Sequence, residues 1–331
     1  MMRAITYGRY GGPEVLELGE VRRPNPKPDE ILIDVEAVEA TKTDCEMRSF
    51  EQEVRWFRWP LRLAMGIRRP RNPVLGMYFA GVVHDLGAEV TGFEPGDAVF
   101  GSTGMRRGAY AEQVVVPASA PIARKPLTAT FAEAAAMPLG AINALHFLRA
   151  AGVRPGERIL VNGAGGVIGA YGVQIASAWG AVVTGVDAVH KEQFVRSMGA
   201  SDFIDYREHD VTQLGLRFDV IFDMVPSSSP PAMLDLLAPD GRYAHGNPRL
   251  ATLVRAPVVN RRGDRRMVVS FAEETRATLE ELAAMFDDGE LRSIVDRVLP
   301  LESAAEDHRL VDTEERVGAF VLANGDHARH R

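Results

Sequence analysis

The chain has little cysteine, no long apolar run and no excess of positive charge. Because Cys45 is its one cysteine, the sequence excludes an intramolecular disulfide and a zinc site built from several cysteines. No run of ~20 apolar residues could span a membrane, and no apolar stretch of signal-peptide length follows the first residue. The net charge of -7 argues against non-specific binding of nucleic acid, which needs a basic face. We therefore expect a cytoplasmic protein that binds neither nucleic acid nor membranes.

The first part of the chain is β-rich, with turns of glycine and proline between its strands. A length of 331 residues exceeds the ~100–200 residues of a usual domain, so we expect two domains. We predict strands at Arg3–Tyr7, Leu16–Val21, Ile31–Ala37, Val74–Leu86, Asp97–Gly101 and Ala109–Pro117. Successive strands without helices between them imply an antiparallel or mixed sheet. A short helix over 41–53 is expected to begin at Thr43 or Asp44 as N-cap.

Strands and helices alternate in the second part of the chain. Predicted helices over 131–137 and 141–151 lead into it, and helices over 191–198 and 231–237 follow. The predicted strands are Phe203–Tyr206, Val220–Val225, Arg242–Gly246 and Met267–Phe271. This alternation is typical of a doubly wound parallel sheet. A helix over 273–286 comes next, and the strand-rich tail after it is expected to rejoin the first sheet because it is too short to form a domain.

The stretch 158–187 predicts a dinucleotide-binding βαβ unit: an apolar strand, a glycine-rich turn, an amphipathic helix and an apolar strand ending in Asp187. Glycines let a pyrophosphate approach the backbone at the helix N-terminus, where N–H groups and the macrodipole favour anions. We prefer the register Ala164-x-Gly166-x-x-Gly169, because it puts a glycine where helix and strand pack closely. The residues of the turn expected to contact the cofactor are Gly163, Ala164, Gly165, Gly166, Val167 and Ile168.

The stretch Val54–Arg71 interleaves aromatic and apolar residues with arginines and contains no acid. It could bind a membrane surface or an anionic partner. The favoured interpretation is a lid whose aromatic residues pack on their own domain while the arginines face water. Pro60 and Pro70 argue against one continuous amphipathic helix.

Six motifs occur in order along nearly the whole chain. They are Tyr10-Gly-Gly-Pro-Glu-Val-Leu16, Gly76-x-x-x-x-Gly81, Gly96-Asp-x-Val-Phe-Gly101, Gly108-Ala-Tyr-Ala-Glu112, Ala134-Ala-Ala-Met-Pro138 and Met198-Gly-Ala200. With these motifs the chain resembles the medium-chain dehydrogenase/reductase superfamily, in its zinc-free branch of quinone oxidoreductase-like proteins.

The resemblance implies an α/β protein with a GroES-like, partly open β-barrel catalytic domain and a doubly wound Rossmann dinucleotide-binding domain. It implies a catalytic domain over 1–126, a dinucleotide domain over 127–272 and a return to the catalytic domain over 273–331. The active site would lie in the cleft between the two domains. A homodimer is implied as well, through the edge strand near Met267–Phe271.

The sequence departs from the zinc-dependent alcohol dehydrogenases at each ligand position that can be placed. Thr41 stands in the place of their first cysteine, and Met77 and Tyr78 replace their His-Glu pair. The Ala135-Ala136 region lacks the remaining cysteine, and the four-cysteine structural lobe is missing. The histidines show no zinc-site spacing, so we expect no metal.

Without a metal, charge on a substrate oxygen must be stabilised by hydrogen-bond donors in a dry pocket. Tyr78 is the first candidate, because its phenol can donate such a bond; a tyrosine of the barrel core is the alternative. Asp44 matches an acid usual in the superfamily and would orient Thr41 or a nicotinamide ribose hydroxyl, or cap the following helix. Thr41 and Lys42 are further pocket candidates. Cys45 is expected to be buried filler rather than a nucleophile.

The choice between NAD and NADP is open in the sequence. A carboxylate at Asp187 would accept bonds from the ribose hydroxyls and repel a 2′-phosphate, which favours NAD. By resemblance, Lys191 and Tyr206 match positions that bind the 2′-phosphate in NADPH-using relatives, and His190 adds a cation. Further cofactor contacts are expected from Asn143, Val225, Gly246 and Phe271.

The function implied by the resemblance is a zinc-free NAD(P)H-dependent oxidoreductase that transfers hydride to a small quinone, enone or other carbonyl substrate. The alternative from another class is a nucleotide-binding redox sensor or structural protein without significant turnover, because fold and cofactor site do not fix activity. Alcohol oxidation with adventitious zinc is a further alternative.

Overall fold

The computed structural model describes residues 1–51, 62–63, 65–246, 250–313 and 315–325. The strands in this part of the chain are β1 (Met2–Thr6), β2 (Glu17–Val21), β3 (Glu30–Ala40), β4 (Tyr78–Leu86), β5 (Ala98–Ser102), β6 (Gln113–Pro117), β7 (Ile122–Arg124), β8 (Arg158–Asn162), β9 (Val182–Asp187), β10 (Asp202–Asp205), β11 (Phe218–Asp223), β12 (Leu237–His245), β13 (Arg266–Val268), β14 (Val295–Pro300) and β15 (Ala319–Ala323). The helices are α1 (Lys42–Ser49), α2 (Phe131–Ala135), α3 (Pro138–Ala151), α4 (Val167–Ala178), α5 (Glu192–Ser197), α6 (Pro230–Asp235), α7 (Leu250–Arg262), α8 (Arg276–Asp287) and α9 (Ala304–Asp312). No helix among these residues is both long enough and apolar enough to cross a bilayer.

Contacts divide the chain into two compact units. The first unit contains Met1–Pro138, Glu274–Asp287 and Ser293–Arg331, and the second contains Leu139–Glu273 and Asp288–Arg292. The first divide lies after Pro138, later than the predicted boundary at residue 126. The reason is local bonding and packing: the backbone N–H groups of Leu127 and Thr128 donate to the Asp287 carboxylate, and α2 packs on β3 and β4.

The first unit is built on a seven-stranded sheet of order β14-β15-β3-β4-β5-β7, in which β6 also pairs with β3. The pairs are antiparallel, except that β14 and β15 run parallel. The long strand β3 pairs with β4 on one side and with β6 and β15 on the other. Because β15 pairs Phe320 with Ala40, the tail rejoins the first sheet, as the sequence predicts.

The second unit is a six-stranded sheet of order β10-β9-β8-β11-β12-β13, and all of its pairs are parallel. The order reverses beside β8, because β9 and β10 lie on one side of it and β11 to β13 on the other. Such a reversal opens a crevice at the carboxyl ends of the strands, where ligands bind. The sheet is the predicted doubly wound one, and its crevice lies at the ends of β8 and β11.

Several elements differ from the sequence predictions. β4 begins at Tyr78 rather than Val74, and β6 begins at Gln113 rather than Ala109. Helix α1 begins after Thr41, not at Thr43 or Asp44, because the Thr41 hydroxyl accepts a bond from the Asp44 N–H. It ends at Ser49, since Phe50 adopts a left-handed conformation with φ 61°. The tail after residue 300 contains the helix α9 besides its strands, and β13 ends at Val268 instead of reaching residue 271.

Helix α7 is not predicted by the sequence, because it contains Pro257 and lacks a clear apolar period. Tertiary packing stabilises it. Ala256 and the partly buried Val259 pack in the core cluster that includes Met267. The side chain of Asn260 also bonds the backbone of Met267 twice, donating to its carbonyl at 3.0 Å and accepting from its N–H at 2.7 Å.

Part of the Arg- and Trp-rich stretch, including Trp56 and Trp59, lies outside the described residues, so its lid and membrane interpretations stay predictions. At its described end, the Arg62 guanidinium lies 4.6 Å from the ring centre of Tyr10 and 4.3 Å from that of Phe50. This arginine therefore packs on aromatic rings of its own unit.

Candidate active site

The glycine-rich turn joins β8 to α4, with Gly166 as the N-cap of the helix. A Cβ on Gly169 would lie 2.0 Å from the Gly163 carbonyl oxygen, so this position requires glycine, as the preferred register predicts. The tight turn itself falls on Gly163, with φ 83°, and not on Ala164 as that register implies. Glycine takes this conformation without the steric cost that a Cβ would add.

The turn fits a dinucleotide pyrophosphate. A Cβ on Gly166 would meet only the Gly163 oxygen, at 3.4 Å, so a ligand can approach the backbone here. The turn precedes the first N–H groups of a 12-residue helix, and such groups lack partners within the helix. Val167 and Ile168 are the first residues of that helix. The predicted contacts from Gly163 to Ile168 therefore form one continuous backbone segment at the N-terminus of α4.

Asp187 and Lys191 form an ion pair beside the turn. The Lys191 ammonium lies 3.3 Å from the Asp187 carboxylate, and both side chains are buried. Asp187 also accepts from the N–H of Gly165 at 2.8 Å and from that of Ala188 at 2.9 Å. The exposed Tyr206 is close by, because its N–H donates to the Asp187 carbonyl. Asp187, which favours NAD, thus lies beside Lys191, which favours NADP, and the charges of the two side chains partly cancel.

Of the other predicted contacts, Val225 and Gly246 lie at the crevice. A Cβ on Gly163 would lie 3.3 Å from Val225, and Gly246 follows β12. Asn143 is on α3 and donates to the Leu139 carbonyl at 2.8 Å. Phe271 lies beyond β13 and is 75% exposed, and none of the described contacts brings it to the turn.

A buried polar network, which the sequence analysis misses, occupies the carboxyl ends of β8, β11 and β12. Asp223 accepts from Asn162 Nδ2 at 2.9 Å, from Ser228 Oγ at 3.0 Å and from the Tyr243 hydroxyl at 2.8 Å. It also accepts from the Val225 N–H at 3.0 Å. Burial and the Asp223 carboxylate raise the pKa of Tyr243. An acid at the end of a central strand is the sequence feature that could have indicated this network.

In the first unit, Tyr78 is the first residue of β4 and is 5% exposed. Its hydroxyl donates to Glu274 Oε1 at 2.7 Å. Burial, and then the Glu274 carboxylate, raise the pKa of Tyr78 well above its ordinary value. The sequence analysis does not identify Glu274, because 196 positions separate it from Tyr78 and no motif includes it.

Thr41 and Asp44 form a capping box at the start of α1. The Thr41 hydroxyl donates to Asp44 Oδ2 at 2.7 Å, and Asp44 Oδ1 accepts from the Gly76 N–H at 3.0 Å. Burial raises the pKa of Asp44 above its usual value, although the bonds to Thr41 and Gly76 act in the opposite direction. Of the roles weighed for Asp44, orienting Thr41 and capping the helix are the two that the geometry shows.

Cys45 is buried, with its sulfur 3.8 Å from the His308 carbonyl oxygen. Burial raises the pKa of its thiol, which opposes a nucleophilic thiolate. Within the described ranges, no group of three or more His, Cys, Asp or Glu residues could hold a metal ion.

Comparison with known proteins identifies the family. A family model described as "Alcohol dehydrogenase GroES-like domain" matches residues 27–126, and one described as "Zinc-binding dehydrogenase" matches residues 198–322. The quinone oxidoreductase of Pseudomonas aeruginosa is 30% identical over 339 residues, covering 97% of this chain and 99% of the relative. That of Sus scrofa is 29% identical over 338 residues, covering 97% and 98%. The solved quinone oxidoreductase of Coxiella burnetii superposes with a TM-score of 0.85 at 26% identity, over 97% of this chain and 99% of that chain.

The parallel sheet, its glycine-rich turn and the GroES-like unit define an NAD(P)-dependent oxidoreductase. The chain belongs to the medium-chain dehydrogenase/reductase superfamily and has quinone oxidoreductase-like relatives. The predicted family, fold class and enzyme class are thereby confirmed. The comparisons leave open which of the two nucleotides is used.

Proposed function

We propose that this enzyme reduces small quinones, enones or related carbonyl compounds without a catalytic metal. The observation that carries the proposal is the hydroxyl of Tyr78, which is buried and hydrogen-bonded to Glu274 at 2.7 Å. This hydrogen-bond donor stands where the zinc-dependent relatives have a residue of their metal-binding pair. Support also comes from the quinone oxidoreductases that the chain resembles over nearly their whole length.

When bound, the reduced nicotinamide supplies a hydride to a conjugated carbon or to a quinone. Negative charge then develops on the substrate oxygen, and Tyr78 stabilises it by donating its phenolic hydrogen. Such a donor is worth more in a dry environment than in water, and its position is fixed before the reaction. Thr41 and Asp44 act as positioning residues, because their capping box holds the Gly76 backbone two residues before Tyr78.

The dinucleotide is assigned to the second unit. The backbone from Gly163 to Ile168 would hold the pyrophosphate, and Asp187 would meet the adenine ribose. Asn143, Val225 and Gly246 would contact the nicotinamide half. We assign the choice between NAD and NADP to the Asp187–Lys191 ion pair, because it combines the two opposing charges at one position.

A panel of quinones, enals and ketones, assayed with NADH and NADPH by loss of reduced-nicotinamide absorbance, tests the proposal. Turnover of at least one conjugated class is expected, and Tyr78→Phe should lower kcat by about 100-fold if the phenol supplies the proton. Tight NAD(P)H binding without turnover across the panel would instead favour the redox sensor.

We also propose a homodimer that forms through β13, because this strand lies at the edge of its sheet. An edge strand presents unpaired backbone groups that a second copy can bond. Light scattering coupled to gel filtration should give twice the chain mass of 36.2 kDa, and a monomer would contradict the assignment.

A further inference from the structure

The hydrogen bond between Tyr78 and Glu274 joins a buried phenol to a partly exposed acid. Tyr78 is 5% exposed, whereas Glu274 is only partly buried and can exchange protons with water. The two oxygens lie 2.7 Å apart, a distance that suits donation in either direction. A proton can therefore pass from solvent to the phenol through one side chain.

The position of Glu274 is fixed by the start of α8. Thr275 caps this helix, because its hydroxyl accepts from the Thr278 N–H at 3.2 Å. The Arg276 guanidinium donates to the carbonyls of Ala118 at 2.9 Å and Ile122 at 3.2 Å. Glu274 thus precedes a capped and anchored helix, and a single rigid element holds its carboxyl against Tyr78.

Three acids face Tyr78: Glu274, Glu39 and Asp44. Glu39 is fully buried on β3, and neither of its carboxyl oxygens has a hydrogen-bond partner among the described residues. Asp44 uses its oxygens for Thr41 and Gly76. Of the three, Glu274 is the acid that both bonds the phenol and reaches solvent.

A proton donated by Tyr78 must be replaced at once. Burial raises the pKa of the phenol, so a lone phenolate at this position is costly. A second acid removes this cost if it gives its proton to the phenol oxygen while the phenolic proton moves to the substrate. The negative charge then ends on a carboxylate that water can reach.

We propose that Glu274 is the acid that supplies Tyr78 with the proton used in each reduction, an inference that rests on the function proposed above. The Tyr78 O–H bond breaks as an O–H bond forms on the substrate oxyanion. At the same time the acid proton of Glu274 moves to the Tyr78 oxygen, which leaves the neutral product, the neutral phenol and the Glu274 carboxylate. The Glu274 carboxylate, which accepts from Tyr78, then takes a new proton from hydronium or a buffer acid and, once protonated, donates to the Tyr78 oxygen instead.

The test compares Glu274→Gln with Glu273→Gln. The glutamine at 274 can still accept the Tyr78 hydrogen bond but has no acid proton, and Glu273 is an exposed acid one position earlier. For Glu274→Gln we expect kcat to fall by about 100-fold with little change in KM, as for loss of a general acid. Formate or acetate should restore part of the rate in Glu274→Ala, which leaves room for a small carboxylic acid beside Tyr78, and the solvent deuterium isotope effect on kcat should increase in Glu274→Gln. Glu273→Gln should behave as wild type.

Circular dichroism and NADPH titration show whether each variant keeps its fold and its cofactor affinity. An unchanged kcat in Glu274→Gln, or a loss in Glu274→Ala that small carboxylic acids do not relieve, would overturn the role of Glu274. If Tyr78→Phe loses turnover while Glu274→Gln keeps it, the proposed function stands and this inference falls. If wild type reduces no member of the panel, the proposed function itself falls.

Discussion

Asp307 and His308 are neighbours on α9, and both are buried. Burial raises the pKa of Asp307 to about 7, and neither of its oxygens has a hydrogen-bond partner among the described residues. Burial and the Arg48 guanidinium lower the pKa of His308 to about 3. His308 Nδ1 lies 3.0 Å from Arg48, and its Nε2 lies 2.9 Å from the Tyr110 hydroxyl. The two residues therefore affect stability in opposite directions as pH changes.

For Asp307, the unfolded chain releases the proton near pH 3.8 and the folded chain near pH 7. The contribution of this residue is fully present below pH 3.8 and is lost as pH rises to 7. We predict that the free energy of unfolding of Asp307→Asn, minus that of wild type, rises by up to about 4 kcal/mol between about pH 4 and about pH 8. Urea unfolding at a series of pH values measures it. Glu302→Gln, which removes an exposed acid five positions earlier, is the control, and a pH-independent difference for Asp307→Asn would contradict the prediction.

Asp187 has a testable effect on cofactor preference. Its carboxylate pairs with Lys191 and would repel a 2′-phosphate, so Asp187→Ser removes a repulsion and leaves the ammonium in place. We expect the ratio of kcat/KM for NADPH to that for NADH to rise by at least about tenfold, since a charge interaction near the surface is worth about 1–4 kcal/mol. Steady-state kinetics with both cofactors measure the ratio.

Asp202→Ser is the matched control for this experiment. Asp202 is an exposed acid at the start of β10, which is the end of that strand away from Asp187. An unchanged ratio in Asp187→Ser would remove Asp187 from the selecting role.

Helix α4 contains two glycines that only tertiary packing explains. Helix propensity alone predicts that alanine at Gly169 or Gly172 stabilises α4 by about 1 kcal/mol. A Cβ on Gly169, however, would lie 2.0 Å from the Gly163 oxygen and 2.9 Å from the Ala164 Cα, which belong to the turn. A Cβ on Gly172 would instead meet the Phe222 ring at 2.5 Å.

We predict that both substitutions destabilise the fold by about 1–3 kcal/mol through overpacking, but that Gly169→Ala alone weakens dinucleotide binding. The reason is that the first displaces the backbone of the turn, whereas the second displaces a side chain beneath the helix. Thermal unfolding and fluorescence titration with NADH and NADPH separate the two effects. Equal dinucleotide affinities in the two variants would contradict the prediction, because they would show that binding tolerates displacement of the turn backbone.

The same helix shows how far local pattern predicts structure. α4 and its flanking strands follow from apolar strands, a glycine turn and an acid at the end of β9, all adjacent in sequence. Helix α7 does not follow, because Asn260 and Val259 stabilise it through contacts with residues of β13 and the core. The cap of α1 is a different case, since the bonds that select Thr41 join it to Asp44 three residues later, and this local capping box is a signal that the sequence prediction missed.

The units of the whole molecule are assembled from distant segments. β15 joins β3, and the segment Glu274–Asp287 belongs to the first unit although it lies between the two segments of the second. Composition and periodicity cannot predict such pairings; the return of the tail was predicted from its short length, and the catalytic domain built from both ends of the chain was implied by the family resemblance. The candidate site divides in the same way: the glycine-rich turn is continuous in sequence, whereas the partners Tyr78 and Glu274 are 196 positions apart.

The metal requirement is a property of the whole protein, and the family comparisons make it worth measuring. One matching family model is described as a zinc-binding dehydrogenase, whereas the family resemblance of the sequence implies that Thr41, Met77 and Tyr78 replace the zinc-binding residues of zinc-dependent relatives. The hydroxyl groups of threonine and tyrosine and the thioether of methionine are poor zinc ligands compared with thiolate and imidazole. We therefore predict that treatment with phenanthroline, followed by gel filtration, leaves turnover of the best substrate unchanged. Elemental analysis should find far less than one zinc per chain. A zinc-dependent alcohol dehydrogenase, treated alongside, should lose activity. Loss of turnover here, with recovery on adding zinc, would instead support alcohol oxidation at an adventitious metal.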